Sequence, residues 1–232
     1  MAENLDVVVI GAGPAGYVAA IRAAQLKQKV AIVDKQWLGG VCLNIGCIPS
    51  KSLLKNAEVA HTLRMRGKDF GFSFDNLKLD YSVAVKRSRQ NSDRLTKGVG
   101  FLMKKNNITV IMGEAKFKAK DTLMVMDKDG KGAEIKAKNI IVATGASAAM
   151  LPGVTVDGKK IVTYVEAILQ ETLPKSVVIV GGGAIGTEFA TIWNSYGVDV
   201  TIVELLPRIL PREDEEVSKE LTKELTKHGI KI

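Results

Sequence analysis

The chain has 232 residues, 46% of them hydrophobic and 25% charged, which is the composition of an ordinary globular protein with one large or two small domains. No stretch approaches the roughly 20 apolar residues of a membrane span, and the start MAENLD has no secretory-signal pattern, so we expect a cytoplasmic protein with no membrane partner. The net charge of +8 is spread over several segments, which indicates solubility and electrostatic steering and argues against nucleic-acid binding.

The first predicted element is a strand, LDVVVI at residues 5–10, which leads through a glycine-rich turn into a helix. The turn has the pattern G-x-G-x-x-G, with Gly11 for the tight turn, Gly13 for close approach to a pyrophosphate and Gly16 for helix packing. The next strand ends at Asp34, where a carboxylate can accept hydrogen bonds from ribose hydroxyls. A glycine-rich turn with a chance acid is the alternative, but the whole combination favours a dinucleotide site.

Both cysteines of the chain, Cys42 and Cys47, lie in the following segment, GGVCLNIGCIPSK at residues 39–51. In a regular helix their Cα atoms would lie about 8 Å apart, and a disulfide tolerates at most about 7 Å. A disulfide therefore requires a bent backbone, which Gly46 permits. Pro49 fits the opening of a helix, and a thiol near a helix start is expected to be reactive. The pattern favours a redox couple, with a structural staple or half of a metal site as alternatives.

We predict no metal site, because zinc usually needs four ligands and the chain has two histidines, both distant from the cysteines. His61 lies in a predicted helix and is expected to pack or face solvent, whereas His228 before Gly229 fits a helix C-terminus. Neither histidine is well placed to be a catalytic base.

The middle of the chain is predicted to contain one long helix or two between residues 81 and 107, followed by three strand-like runs. Asp129 and Gly130 form a hairpin turn between the second and third runs. A linker and a short helix, TYVEAILQ, come next.

The pattern of the N-terminus then returns in the strand SVVIV, a second glycine-rich turn and a helix. The turn contains Gly181, Gly183 and Gly186, and the next strand ends at Glu204. Glu204 follows Gly186 by the same eighteen residues that separate Asp34 from Gly16. Two copies of one fingerprint predict two dinucleotide sites and therefore two Rossmann-like, three-layer α/β units, the second of them incomplete. We place the first domain at residues 1–148 and the second at residues 149–232.

The acid at the end of the strand in the second unit is expected to determine which coenzyme this unit binds. A carboxylate at Glu204 can bind a free 2′-hydroxyl and repels a 2′-phosphate, which favours NAD over NADP. Arg208 and Arg212 lie nearby and could instead hold a phosphate, so this choice stays open at the level of sequence.

The cysteine segment resembles the active-site stretch of the flavin-dependent disulfide oxidoreductases that use pyridine nucleotides, and the resemblance extends over nearly the whole chain. It is strongest, through the wording CLN-IGCIPSK, to the branch that oxidises dihydrolipoamide; Val41 departs from the threonine more often found there. The resemblance implies FAD in the first unit and NAD in the second. It also implies a disulfide that passes electrons to FAD, with Cys47 facing the flavin and Cys42 exchanging with substrate.

The same resemblance implies roles for further residues. Lys51 is expected beside the flavin and paired with Glu188, although sequence alone also allows an ordinary exposed helix acid at Glu188. The stretch Gly113–Ala115 is expected along the adenine, and Ala143-Thr144-Gly145 is expected to close the FAD domain. The first fingerprint and Asp34 would bind FAD, and the second fingerprint and Glu204 would bind NAD.

Partners are also implied by the resemblance: dihydrolipoamide on the lipoyl domain of a 2-oxo acid dehydrogenase complex, and a second copy in a homodimer. The histidine–glutamate pair that acts as base in the family is not found here, so we expect the N-terminal part of a longer enzyme that is inactive alone. Other family substrates, as in glutathione or mercuric reductases, and a nucleotide-binding flavoprotein without turnover remain alternatives.

Overall fold

The computed structural model describes the backbone of residues 4–232 and the side chains of residues 5–232. The described chain forms two compact units. The first contains the chain up to Ile48 together with Arg89–Thr155, and the second contains Pro49–Ser88 together with Val156–Ile232. The predicted nucleotide-binding domains, 1–148 and 149–232, divide the chain only once, and that boundary stays a prediction.

The first unit is built around a six-stranded mixed sheet with the strand order β3-β2-β1-β6-β5-β4. The elements from the N-terminus to the end of this sheet are β1 (Asn4–Ile10), α1 (Pro14–Gln25), β2 (Val30–Asp34), α2 (Gly40–Asn44), α3 (Cys47–Arg66), a 3₁₀ turn (Gly67–Phe70), α4 (Tyr81–Lys105), β3 (Thr109–Met112), β4 (Glu114–Ala119), β5 (Thr122–Met126) and β6 (Gly132–Val142). The region between residues 81 and 107 is therefore one helix.

Strand β6 joins two kinds of pairing, because its first half pairs antiparallel with β5 and its second half pairs parallel with β1. The parallel strands β1 and β2 are apolar and β-branched, as strands buried on both faces usually are. On one face Val9 and Ile32 pack with Met103 of α4. On the other face Val8 packs with Leu123 of the β4-β5-β6 meander. The first unit is therefore an α/β fold in which helices pack on a mixed sheet, as the Rossmann-like prediction requires.

The second unit contains a parallel pair of strands with a helix between them, as the repeated fingerprint predicted. Its elements after Val156 are α5 (Tyr164–Ala167), β7 (Ser176–Val180), α6 (Ala184–Ser195), β8 (Asp199–Val203) and α7 (Glu215–Lys227). One detail differs from the sequence-based expectation, because the helix predicted for TYVEAILQ is the single turn α5. Near the end of the chain, Lys231 forms one parallel bridge with Thr201 of β8.

Helix α3 supplies contacts within the second unit that the sequence did not reveal. Its Arg64 donates hydrogen bonds from Nη1 to the carbonyl oxygens of Ser195, at 2.7 Å, and Asn194, at 3.3 Å. These carbonyls lie at the C-terminal end of α6, where backbone acceptors have no partner inside the helix. His61 packs its ring against that of His228, with the centroids 4.5 Å apart, and His228 is the C-cap residue of α7, at the helix C-terminus that the sequence predicted. Burial, followed by the charges of His228 and Arg64, lowers the pKa of His61.

A stability prediction follows from Gly98, an exposed residue inside α4. A Cβ added there would meet no atom within 4 Å, and the residue has no positive φ. We expect Gly98→Ala to raise the free energy of unfolding by about 0.5–1 kcal/mol, because alanine restricts the unfolded chain more than glycine does. Urea unfolding followed by circular dichroism measures the change. Gly130→Ala is the matched control: it has equal space but a φ of +77°, so it should destabilise. Equal shifts in both variants would contradict the argument.

Candidate nucleotide and redox sites

The first glycine-rich turn lies at the carboxyl ends of the parallel strands of the first unit. Gly11 has a φ of +101°, and a Cβ there would lie 2.1 Å from the carbonyl oxygen of Ala143. A Cβ on Gly16 would lie 1.7 Å from the carbonyl oxygen of Gly11. Both positions therefore require glycine, the first because of its conformation and neighbour and the second because α1 packs directly on the turn.

Asp34 closes this turn. Its Oδ2 accepts a hydrogen bond from the backbone N–H of Ala12 at 2.7 Å, and its Oδ1 accepts from those of Gln36 and Trp37 at 2.8 and 3.0 Å. A carboxylate has about four acceptor positions, so three are used by the protein's own backbone. The predicted ribose contact stays a prediction, and the structure adds a role for Asp34 in fixing the shape of the turn.

Four other residues predicted for this cofactor lie in the segment from β3 to β4 and directly after β6. The backbone N–H of Gly113 donates to the carbonyl oxygen of Asp34 at 2.9 Å. Thr144 follows directly on Ala143, whose N–H donates to Ile10 at 2.8 Å, and Gly145 comes next with a φ of +74°. Ala115 lies in β4 and packs against the core under the meander.

The second glycine-rich turn repeats this geometry in the second unit. Gly181 has a φ of +105°, and a Cβ on Gly186 would lie 2.0 Å from the carbonyl oxygen of Gly181. Glu204 accepts from the backbone N–H of Gly182 at 2.7 Å through Oε2, and from that of Leu206 at 2.9 Å through Oε1. Those N–H groups, Leu206 foremost, lower the pKa of Glu204, so it is ionised at neutral pH. Sequence reasoning missed this closure, although the identical spacing of the two acids was its signal.

The helices that follow the two turns have open N-termini. Gly13 and Gly183 are the N-cap residues of α1 and α6, neither cap has a side-chain hydrogen bond, and neither helix has an acid in its first turn. By contrast, α5 is capped by Thr163 in a capping box, and α7 is capped by Asp214. Helix N-terminal N–H groups attract anions. The chain therefore leaves available the two helix ends at which dinucleotide phosphates are expected.

A loop after Glu204 covers part of the second turn. Ile209 is buried, and a Cβ on Gly182 would lie 2.6 Å from its Cγ2. Leu210 donates its N–H to the carbonyl oxygen of Gly182 at 2.8 Å. Arg208 donates to the carbonyl oxygen of Glu213 at 3.2 Å and forms an ion pair with Glu215 at 3.5 Å. The guanidinium that sequence left as a possible phosphate ligand is thus engaged within the loop, while Arg212 is exposed.

The cysteine segment is attached to the first glycine-rich turn. Gly39 donates its N–H to the carbonyl oxygen of Ala12 at 2.8 Å. A Cβ on Gly40 would lie 2.5 Å from the Cα of Gly13, so the two backbones touch. Asn44 holds the segment's own fold by donating from Nδ2 to the carbonyl oxygens of Gly40 and Leu38, at 2.8 and 3.0 Å. The glycine-rich turn and the cysteine segment are separated by one helix and one strand in the sequence, and these contacts show that they touch in the structure.

The two cysteines lie on different helices. Cys42 is in α2 and packs against the core, whereas Cys47 is exposed and begins α3. The predicted bend is present between the helices, but Gly46 does not have a positive φ. Glycine is needed there because a Cβ would lie 2.9 Å from the carbonyl oxygen of Val41 and 3.2 Å from the Cα of Cys42. The structure contains the two cysteines as thiols, and the disulfide of the oxidised protein stays a prediction.

A phenol lies beside the cysteine pair. Burial raises the pKa of Tyr17, and negative charge on Cys42 and Cys47 raises it further. The hydroxyl of Tyr17 is therefore protonated at neutral pH. Tyr17 packs against the same core as Cys42, and sequence reasoning did not single it out.

Lys51 and Glu188 form an ion pair and a hydrogen bond within the second unit, from Nζ to Oε1. This pairing is the one that the family resemblance implied, and the structure confirms it. The side chain of Lys51 is 61% exposed and that of Glu188 is 28% exposed. An ion pair this accessible adds little to stability, so a positional role is the better reason for it. Its placement beside a flavin stays a prediction.

In residues 4–232 no group of three or more His, Cys, Asp and Glu side chains is arranged to hold a metal ion. No helix in that range is both long and apolar enough to cross a membrane.

Comparison with known proteins agrees with this geometry. Residues 5–232 match the family model of the pyridine nucleotide-disulphide oxidoreductases. A dihydrolipoyl dehydrogenase of Corynebacterium glutamicum is 52% identical over 210 residues, which are 90% of this chain and 44% of that protein. One of Rhizobium etli is 49% identical over 225 residues, covering 90% of this chain and 47% of the relative. The chain thus spans about half the length of the curated relatives it matches.

Solved structures give the same result. LpdA from Mycobacterium tuberculosis superposes with a TM-score of 0.88 at 27% identity, over 98% of this chain and 50% of that one. The Cu(II) complex of the HOCl-induced flavoprotein disulfide reductase RclA from Escherichia coli superposes with a TM-score of 0.84 at 29% identity, over 99% and 49%.

Proposed function

Because this chain belongs to the pyridine nucleotide-disulphide oxidoreductase family, we propose that its protein oxidises dihydrolipoamide to lipoamide with NAD as the electron acceptor. The carrying observation is the attachment of the cysteine segment to the first glycine-rich turn, through Gly39 and Ala12 and through Gly40 and Gly13. This attachment keeps both cysteines close to the glycine-rich turn, which supports the proposal that they act beside a bound dinucleotide. The 52% identity to a dihydrolipoyl dehydrogenase supports the choice of substrate.

FAD fits the first turn, since the glycine contacts leave backbone exposed to a pyrophosphate and the N-terminus of α1 is open. The residues that would hold it are Gly11, Gly13, Gly16, Asp34, Lys51, Gly113, Ala115, Thr144 and Gly145. Bound FAD supplies the route by which an electron pair passes from the cysteines to NAD. NAD fits the second turn, and the residues that would hold it are Gly181, Gly183, Gly186 and Glu204.

The cysteines exchange electrons with the substrate. Dihydrolipoamide loses two electrons and two protons and closes to its disulfide, while the Cys42–Cys47 disulfide accepts the two electrons and opens to the dithiol. Cys47 is exposed at the start of α3, where a substrate sulfur can reach it. Following the family resemblance, Cys42 would be the sulfur that exchanges with substrate, and Lys51, paired with Glu188, would be near bound FAD.

The wider setting is part of the same proposal. The substrate is carried on the lipoyl domain of a 2-oxo acid dehydrogenase complex, the protein is a cytoplasmic homodimer, and neither nucleic acid nor a membrane is a partner. The activity test is NADH oxidation by the FAD-loaded full-length protein, with lipoamide and with oxidised glutathione as alternative acceptors. Faster turnover with lipoamide is expected. A preference for glutathione would overturn the substrate, and no turnover with either would overturn the activity.

Coenzyme choice gives a prediction for Glu204. Glu204→Ala removes both a ribose acceptor and the bond that closes the turn at Gly182. A lost hydrogen bond to a charged group costs roughly 1.5–3 kcal/mol, so we expect NAD binding to weaken about ten- to a hundredfold. Discrimination against NADP should also relax, because the charge that repels a 2′-phosphate is gone. Titration of the full-length protein with both coenzymes measures this.

Glu204→Gln is the matched variant, since an amide can still accept from Gly182 but carries no charge. It should keep most of the NAD affinity and lose most of the discrimination. Unchanged preference in both variants would show that another residue selects the coenzyme; Arg208, held by Glu215, would then be the next to change.

A further inference from the structure

The second unit has a cavity that is lined by no residue of either glycine-rich turn. This cavity of about 440 Å³ is formed by the middle of α3, the connector that ends at Asp80, the start of α4 and Tyr196. We call it the α3–α4 cavity. Its volume is within the roughly 300–1,000 Å³ of small-molecule sites. Neither the proposed redox chemistry nor the coenzyme site uses it.

The charged groups at this cavity are mostly cations. Lys55, Lys78 and Arg87 line it, against the single acid Asp80. Asp80 is already engaged, because it accepts from the N–H of Ser82 at 2.9 Å and from its hydroxyl at 2.7 Å. Lys55 pairs with Glu58 at 2.8 Å. Within residues 4–232, no acidic side chain lies within ion-pair distance of Lys78 or Arg87. The Ser82 hydrogen bonds keep Asp80 ionised, so the three cations outnumber Asp80 and Glu58 by one charge, and the cavity has an excess of positive charge.

Arg87 is oriented by neutral partners. Its Nη1 donates to Asn56 Oδ1 at 2.9 Å and to Ser52 Oγ at 3.2 Å, which fixes the guanidinium at the cavity while its other N–H groups remain for a ligand. Burial, and to a smaller extent Asp80, raises the pKa of Tyr196, so its hydroxyl is protonated at neutral pH. A planar, oriented guanidinium is well suited to carboxylates and phosphates.

The remaining wall is apolar. Val59, Ala60 and Leu63 present one face of α3, and Leu79 of the connector and the ring of Tyr196 complete the wall. The ring of Tyr196 is held edge-on against Tyr81 with centroids 5.0 Å apart. Val59 is 50% exposed although it is apolar. A simple inorganic anion would leave this wall uncovered.

We propose that the α3–α4 cavity binds a small organic anion, a carboxylate or phosphate on an apolar body, with Arg87 and Lys78 holding the charge and Val59, Leu63 and Tyr196 the body. This proposal does not rest on the redox function. Since α3 also carries the cysteine Cys47 and Lys51, the cavity lies on the helix that the redox site uses.

The test uses full-length protein saturated with FAD and NAD, so that both dinucleotide sites are filled. Calorimetric titration with phenyl phosphate should show one saturable site. Inorganic phosphate, which lacks the apolar body, and phenol, which lacks the charge, should each bind more weakly. Phosphate binding as tightly as phenyl phosphate would overturn the proposal, as would the absence of saturable binding.

Variants locate the site. Arg87→Gln and Lys78→Gln should each weaken the binding of phenyl phosphate about three- to tenfold, the range for a partly exposed charged contact. Val59→Ser should also weaken this binding. Lys86→Gln is the matched control: it removes the same charge one residue from Arg87, from a side chain that pairs with Glu171 and does not line the cavity. Equal weakening in Lys86→Gln and Arg87→Gln would show a general charge effect and overturn the site. Lys78 makes no hydrogen bond to another described side chain, so its variant should keep the fold.

Discussion

Replacing Cys47 by serine should lower the rate of lipoamide-dependent NADH oxidation by several orders of magnitude, and replacing Cys42 by serine should do the same. The hydroxyl of serine cannot form the disulfide that accepts the substrate's electrons, and it is a far weaker nucleophile than a thiolate. No other cysteine exists in the chain to substitute. The measurement is NADH oxidation by FAD-loaded full-length protein with saturating lipoamide.

Thiol titration under denaturing, non-reducing conditions separates loss of chemistry from loss of fold. The oxidised wild-type protein should show no reactive thiols in this chain, the reduced protein two, and each serine variant one. Since Cys47 is exposed, Cys47→Ser should keep the free energy of unfolding close to that of the wild type. A variant that retains a substantial part of the wild-type rate would show that the pair does not carry the reaction.

The second large effect is expected from the two crowded glycines. In Gly16→Ala the new Cβ would lie 1.7 Å from the carbonyl oxygen of Gly11, and in Gly186→Ala 2.0 Å from that of Gly181. Both neighbours are backbone atoms, so the helix must move, at a cost of about 3 kcal/mol or more. We expect Gly16→Ala to lose FAD and Gly186→Ala to lose NAD affinity, about a hundredfold or more in each case.

Each variant is the other's control, because the two changes are chemically identical and lie in different units. Absorbance of the purified protein reports retained flavin, and titration with NADH reports the second site. Gly183→Ala adds a further comparison, since a Cβ there meets no atom within 4 Å. This variant should fold normally and weaken only the binding of NAD, whose phosphates are proposed to approach the backbone at Gly183. If either Gly16→Ala or Gly186→Ala lost both cofactors, the claim that the two turns bind their cofactors independently would be wrong.

The glycine-rich turns could be predicted because their requirements are local. A strand, three glycines at fixed spacing and a terminal acid determine the shape of each turn, and Gly11 and Gly181 have nearly the same φ. The cysteine segment was equally readable, except that Gly46 is needed for close packing and not for a special φ. Glycine is needed at position 46 because Val41 and Cys42 fold back towards it, and this contact cannot be predicted from a residue pattern.

Contacts between distant segments were not predictable. Arg64 caps the end of α6 from 130 residues away, and in sequence it is one basic residue among several on a helix. The same holds for the residues considered for coenzyme choice. The sequence singled out the acid Glu204, but the ion pair of Arg208 with Glu215 depends on the path of the loop between them. Side chains of this kind have many possible partners, and only the folded backbone selects one.

The arrangement of the two units along the chain has a consequence for how the protein reaches its native state. The chain leaves the first unit after Ile48, returns at Arg89 and leaves again after Thr155. Strand β1 cannot pair with β6 until the ribosome has made residues 136–142, by which time α3 is complete but its partners in 156–232 are not. Arg64 and His61 of α3 must therefore wait for their partners Ser195 and His228. Such pairings between distant segments slow folding and extend the period in which nascent chains aggregate, so this protein should depend on chaperones more than two consecutive domains of the same size would.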